Sequence, residues 1–168
     1  YTLMAIGVGI TLGIKLPENF NAPYLSQSIS DFWKRWHITL SDWIRNYVYI
    51  PMGGSRKGIY QGYLNIFIAM LVSGIWHGAG FNFLIWGSLH GLIIILEKTI
   101  LNTLLVKIPI FFRILYTYLL VTFLWLFFRL GDLTEIESFF SKAKSETISL
   151  SLIYLLIVIL FKVHLLFS

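Results

Sequence analysis

The sequence contains no cysteine. That excludes disulfides, thiolate metal sites and any cysteine-based acyl-enzyme. Charge is scarce as well: Asp, Glu, Lys and Arg make up 12% of the chain, against 57% hydrophobic residues and a mean hydropathy of +0.77. Globular domains carry about twice that charged fraction, so this composition implies an integral membrane protein. Alternating apolar and polar segments are missing too, and runs such as Leu92-Ile93-Ile94-Ile95-Leu96 exclude a barrel. Only helices then remain to cross lipid. The expected fold class is all-α: a polytopic transmembrane helical protein. The small acidic count leaves a net charge of +5, which fits cytoplasmic loops and anionic headgroups rather than nucleic acid. Tyr1 opens inside an apolar run, with neither an initiator Met nor a basic leader region. Residues 1–168 therefore read as one membrane domain, an internal or C-terminal piece of a longer protein.

What is present is organised around Tyr63–Leu96, a stretch without one Asp, Glu, Lys or Arg. As a single helix it would be roughly 50 Å long, well beyond a hydrocarbon core of about 30 Å. The expected break is Trp76-His77-Gly78-Ala79-Gly80-Phe81-Asn82, where two glycines weaken the helix and His77 and Asn82 need polar surroundings. Such a break persists at membrane depth only where protein or water satisfies the freed backbone groups. A broken intramembrane helical hairpin with an imidazole at its elbow is a candidate functional site.

Before it, residues 1–14 read as the end of a spanning helix closed by Lys15 and Pro17, and Ser28 or Ser30 can N-cap the next helix. Residues 31–50 place Phe32, Trp36, Leu40, Trp43 and Tyr47 at three- and four-residue spacing. The pattern predicts one aromatic helix lying at the headgroup level. His37 is expected to point inward with this face, near Trp33, Trp36 and Ser41. Gly53-Gly54-Ser55-Arg56 reads as a basic loop, since it lacks the spacing of a phosphate-binding loop. Beyond the hairpin, Glu97-Lys98 is expected to mark the return to water. Arg113 and Arg129 bracket another span, and residues 131–149 read as an amphipathic helix with Thr134 as its N-cap. Residues 150–167 are expected to form a last span, near whose end Lys162 and His164 would snorkel. Basic residues concentrate in 15–62 and 98–113, which places both on the cytoplasmic side and the His77 elbow toward the outer half.

The chemistry rests on histidines. His90, flanked by Gly87 and Gly91, fits packing or hydrogen bonding as well as catalysis. No pattern offers the three or four convergent ligands a metal needs, and no Gly-x-Ser-x-Gly elbow marks a serine hydrolase. What is left is a neutral imidazole, His77, as general base toward a hydroxyl, with His37 as a second imidazole. Backbone N–H groups at Gly78–Gly80 or the Asn82 amide can stabilise an oxyanion. A solute-binding transporter hairpin and a structural scaffold are the readings from other classes.

Two ordered stretches carry a resemblance. One is Asn21-Ala22-Pro23-Tyr24 with Asp31 through Trp43 and Tyr49-Ile50-Pro51-Met52-Gly53-Gly54-Ser55-Arg56. The other is Gly74-Ile75-Trp76-His77-Gly78-Ala79-Gly80 with Trp86-Gly87-Ser88-Leu89-His90-Gly91, followed by Trp125-Leu126-Phe127-Phe128-Arg129. Together they resemble the membrane-bound O-acyltransferase family. The likeness is strongest to its bacterial alginate and peptidoglycan O-acetyltransferase branch, with teichoic acid D-alanyl transfer as a relative. Asn46 departs from the Asp expected after Arg45. The resemblance implies that His77 is the essential intramembrane histidine and His37 the second one. It implies Trp76, Asn82, His90, Trp36, Arg35 and Ser41 as pocket residues, with no bound cofactor or metal. Further implications are acetyl-CoA or an acyl carrier protein as donor and an extracellular glycan as acceptor. The expected setting is the bacterial inner membrane, with a periplasmic acetyltransferase as partner.

Overall fold

The computed structural model describes residues 2–130 and 133–145. The order is α1 (Thr2–Thr11), α2 (Ile29–Arg35), α3 (Ile38–Ile44), α4 (Ile59–His77), α5 (Phe81–Leu96), α6 (Asn102–Leu105), α7 (Ile110–Arg129) and α8 (Leu133–Ser145). Wider π-type turns, Arg45–Tyr49 and Glu97–Leu101, prolong α3 and join α5 to α6. Among the described residues there is no strand, only a bridge between Phe20 and Trp36. Among the described residues, three stretches are long and apolar enough to cross a membrane: Ile59–His77, Phe81–Leu105 and Ile110–Arg129. The all-α, polytopic helical class read from composition is the one observed. The expected last span, with Lys162 and His164, lies outside the described residues.

Lipid is as apolar as leucine, so helices in it associate through close backbone packing and buried hydrogen bonds. Both are visible here. In the α4–α5 hairpin a side chain on Gly87 would come within 2.5 Å of the Met70 carbonyl oxygen and 3.3 Å of Gly74 Cα. The hydrogen-bonding anchor is Asn65, fully buried on α4. Its amide donates to the carbonyls of Gly54 (2.8 Å) and Met52 (3.4 Å), which ties the Gly-rich turn to the hairpin.

Four expectations need correction. The helix over residues 31–50 is two helices, because His37 takes the left-handed conformation (φ 46°) and ends the first run at Arg35. Trp36, Phe32 and Leu40 are buried, whereas Trp43 and Tyr47 stay exposed as an interfacial face would. Glu97 does not mark a return to water: it is buried, and the apolar stretch runs on to Leu105. The first helix closes at Thr11, with Gly13 left-handed, rather than at Lys15. α8 begins at Leu133, which leaves Thr134 inside the helix instead of capping it.

Ser28 does cap α2, its hydroxyl accepting from the Asp31 N–H at 3.0 Å. The core gathers Ile29, Phe32 and Trp36 with Ile94 of α5 and Val121, Trp125 and Leu126 of α7. α2 runs alongside α5: Ile29 meets Glu97, and Trp33 meets His90 and Trp86. The α2–α3 turn therefore points toward the elbow of the hairpin.

Candidate functional site

The elbow forms where α4 runs out of helix-forming residues. Gly78 is extended, its N–H donating to Ile75 O at 3.1 Å, and α5 starts after Gly80. A side chain at Gly78 would strike the Phe83 ring, and one at Gly80 would strike the Asn82 amide oxygen. The two glycines thus leave room at the bend for the Phe83 ring and the Asn82 side chain.

His77 is the last residue of α4. Its imidazole is half-buried inside an aromatic cage, with centroids at 4.9 Å from Trp76, 5.2 Å from Trp86, 4.9 Å from Phe128 and 6.3 Å from Phe83. The first three rings stand nearly perpendicular to it. Among the described residues nothing hydrogen-bonds its ring nitrogens. This apolar box fixes the ring by packing alone and leaves its lone pair available.

The left-handed turn carries His37 to the same place. Its ring sits 5.8 Å from the Trp76 indole at 89°. Trp76, more than half exposed, is therefore the spacer between two imidazoles, each within 6 Å of it. His37 Nδ1 is buried without a hydrogen-bond partner. Burial holds the His37 imidazole below its ordinary pKa, since desolvation penalises the charged form.

The other expected residues divide. Asn82 is buried one helical step into α5, its amide oxygen unpartnered. His90 stands one layer behind, fully buried, its Nδ1 accepting from the Trp33 indole N–H at 3.2 Å and its ring 4.7 Å from Trp86. An indole only donates, so His90 carries its proton on Nε2. Its position is that of the packing and hydrogen-bonding reading. Trp36 stacks on Phe32 (5.4 Å, 18°) and meets Trp125 edge-on at 5.3 Å, walling the core beneath His37. Arg35 does not join the site, because Asp31 one turn earlier holds it at 3.0 Å. Ser41 donates to Trp36 O at 3.3 Å and lines a cleft of about 280 Å³ with Ser73, Met70 and the cations Lys34, Arg45 and Lys98. Among the described residues no three His, Asp or Glu side chains converge as metal ligands would.

Sequence reading missed Trp86, Phe83, Phe128 and Glu97. Trp86 was legible in retrospect: Asn82, Trp86 and His90 repeat at the spacing of one helix face. Glu97 had no local signal, because its partners are backbone groups of α2.

Comparison with known proteins places this geometry in context. A family model described as MBOAT, membrane-bound O-acyltransferase family, matches residues 1–132. The chain is 44% identical over 133 residues to the Probable alginate O-acetylase AlgI of Pseudomonas aeruginosa, covering 79% of this chain and 26% of the relative. It is 42% identical over 136 residues to the peptidoglycan O-acetyltransferase of Helicobacter pylori, with the same coverages. To the teichoic acid D-alanyltransferase of Bacillus subtilis it is 38% identical over 100 residues, 55% of this chain and 25% of that protein. The chain thus spans about a quarter of the length of these relatives.

Proposed function

The chain belongs to the membrane-bound O-acyltransferase family, and from that premise we propose that it carries the catalytic histidine pair of a membrane O-acyltransferase. The observation that carries the proposal is His77: an imidazole with no hydrogen-bond partner among the described residues, caged by aromatic rings at a glycine break, with a second imidazole across one indole. A neutral imidazole there can take the proton of an acceptor hydroxyl as its oxygen attacks a thioester carbonyl. The C–O bond forms, the C–S bond breaks, and the same proton passes to the departing thiolate. The Asn82 amide and the N–H groups freed at the elbow would face the developing oxyanion. His37, kept neutral by burial, would orient the donor's acyl group.

For the donor we propose acetyl-CoA or an acyl carrier protein, whose phosphate suits Lys34, Arg45 and Lys98 around a cleft that also reaches Ser73, one turn before His77 on α4. For the acceptor we propose hydroxyls of an extracellular polysaccharide or cell-wall glycan, finished outside by a periplasmic acetyltransferase partner, with the whole set in the bacterial inner membrane. Acetyl transfer is favoured over D-alanyl transfer because the O-acetylating relatives align over 79% of the chain, against 55% for the D-alanyltransferase.

The test is transfer of labelled acetyl by the full-length protein. His77→Ala should lower turnover by at least about 10²-fold, the scale of a lost general base. Unimpaired turnover with a correctly folded variant removes the assignment, and solute flux without donor consumption would make the hairpin a transporter element instead.

A further inference from the structure

A buried carboxylate that the chemistry above does not use joins the helix carrying His37 to the hairpin carrying His77. Glu97 is 4% exposed at the end of α5. Its Oε1 and Oε2 accept from the Ile29 N–H at 2.9 and 3.0 Å, and Oε2 also accepts from the Ser30 N–H at 3.3 Å. The Tyr116 side chain of α7 lies beside the same carboxylate. The first N–H groups of a helix have no partner within it and carry its positive end. Here Ser28 satisfies Asp31, while Glu97 satisfies the two before it. One turn further along α2, Trp33 donates to His90, also on α5. One turn beyond that stands His37.

α2 is therefore bolted to α5 at two points a helical turn apart, while beyond it the left-handed His37 is flanked by ties to residues 19–21, the Asn21 N–H donating to Arg35 O and the Ile38 N–H to Asn19 O, each at 3.0 Å. The ties at 19–21 hold the His37 end but not the opposite end of α2, so the two contacts with α5 set the direction in which the helix approaches the hairpin. We propose that Glu97 is a positioning residue: by fixing the N-terminal end of α2 it sets where His37 meets Trp76 and His77. His90 is the second bolt, which gives that histidine a role without catalysis. The proposal rests on the acyltransferase reading above for its kinetic consequence, and on geometry alone for its structural one.

Two readouts test it in the full-length protein in detergent or nanodiscs. Glu97→Gln keeps the side-chain shape but replaces one acceptor oxygen by a donor. It should speed amide hydrogen exchange at residues 29–30 and again at residues 36–40 by at least tenfold, while α4 and α7 keep their protection. It should also lower kcat about tenfold with KM for the thioester within twofold, and this loss should shrink below twofold in a His37→Gln background, because coupled residues are non-additive. Faster exchange confined to residues 29–30, or an equal kcat loss in both backgrounds, overturns the proposal. Where His37→Gln leaves no measurable turnover, exchange at 36–40 decides alone. Failure of the acyltransferase reading looks different: His77→Ala then leaves turnover intact whatever Glu97 does. If Glu97→Gln fails to fold, Tyr116→Phe, which removes a polar neighbour of the same carboxylate, should give the same exchange pattern at smaller amplitude, and no change at 36–40 in that variant overturns the proposal.

Discussion

His37 shows how one backbone angle can create a site. A left-handed residue that is not glycine costs about 1–2 kcal/mol, and it ends α2 and starts α3 in a new direction. The reward is an imidazole placed against Trp76 with its Nδ1 buried. Because burial lowers its pKa, the folded protein resists protonation at this ring. As pH falls through about 6.5, the unfolded chain binds this proton first, so stability drops with acidity and is unaffected above that range. The melting temperature of the purified protein should fall more steeply between pH 6.5 and 5.5 in the wild type than in His37→Gln. Parallel curves for the two would show that the ring titrates as it does in water. None of this was readable locally. No glycine or proline marks the turn, and the stripe through Phe32, Trp36 and Leu40 continues across it at helical spacing, so the pattern read as one helix.

At the scale of elements, the hairpin was legible and the clamp was not. Tyr63–Leu96 announced itself by length, lack of charge and two glycines at the elbow, and the helices break within the expected segment. Glu97 misled because a charge after an apolar run is an ordinary sign of water. Its real partners, the Ile29 and Ser30 N–H groups, lie far away in sequence and carry no side-chain signature. The hairpin's closeness gives a sharp expectation. Gly87→Ala would set a methyl 2.5 Å from the Met70 carbonyl oxygen with backbone on both sides, whereas Gly7→Ala on α1 would meet nothing within 4 Å. The first should destabilise by about 1–3 kcal/mol, the usual cost of overpacking. The second should be neutral or stabilising by up to about 1 kcal/mol, the helix preference for alanine. Thermal melts of the two single variants read the contrast directly. Equal effects would mean that α4 and α5 do not approach as described.

At the scale of the whole molecule, the apolar outer face sets the environment. Tyr60 is 86% exposed, Phe111 69% and Phe81 69%, an arrangement stable only against lipid or further helices. The direction of crossing then follows from charge and connectivity together. α4 joins the loop bearing Arg56 and Lys57 to the elbow at Gly78–Gly80, so the two must lie on opposite sides if α4 spans. α5 and α6 return to the link before α7, where Lys107 stands, and Arg113 follows within its first turns. Basic residues favour the cytoplasm, which predicts Ser55 and Val106 inside and Ala79 outside. Residues 1–168 contain no cysteine, so they add no labelling background of their own to an introduced thiol. In single variants Ser55→Cys, Val106→Cys and Ala79→Cys, an impermeant maleimide should label the first two only in inverted vesicles and the third only in right-side-out ones. Labelling of all three from one side would mean that neither α4 nor α5 crosses. The opposite pattern would keep the crossings but send the acyl group inward, against the direction of transfer proposed above.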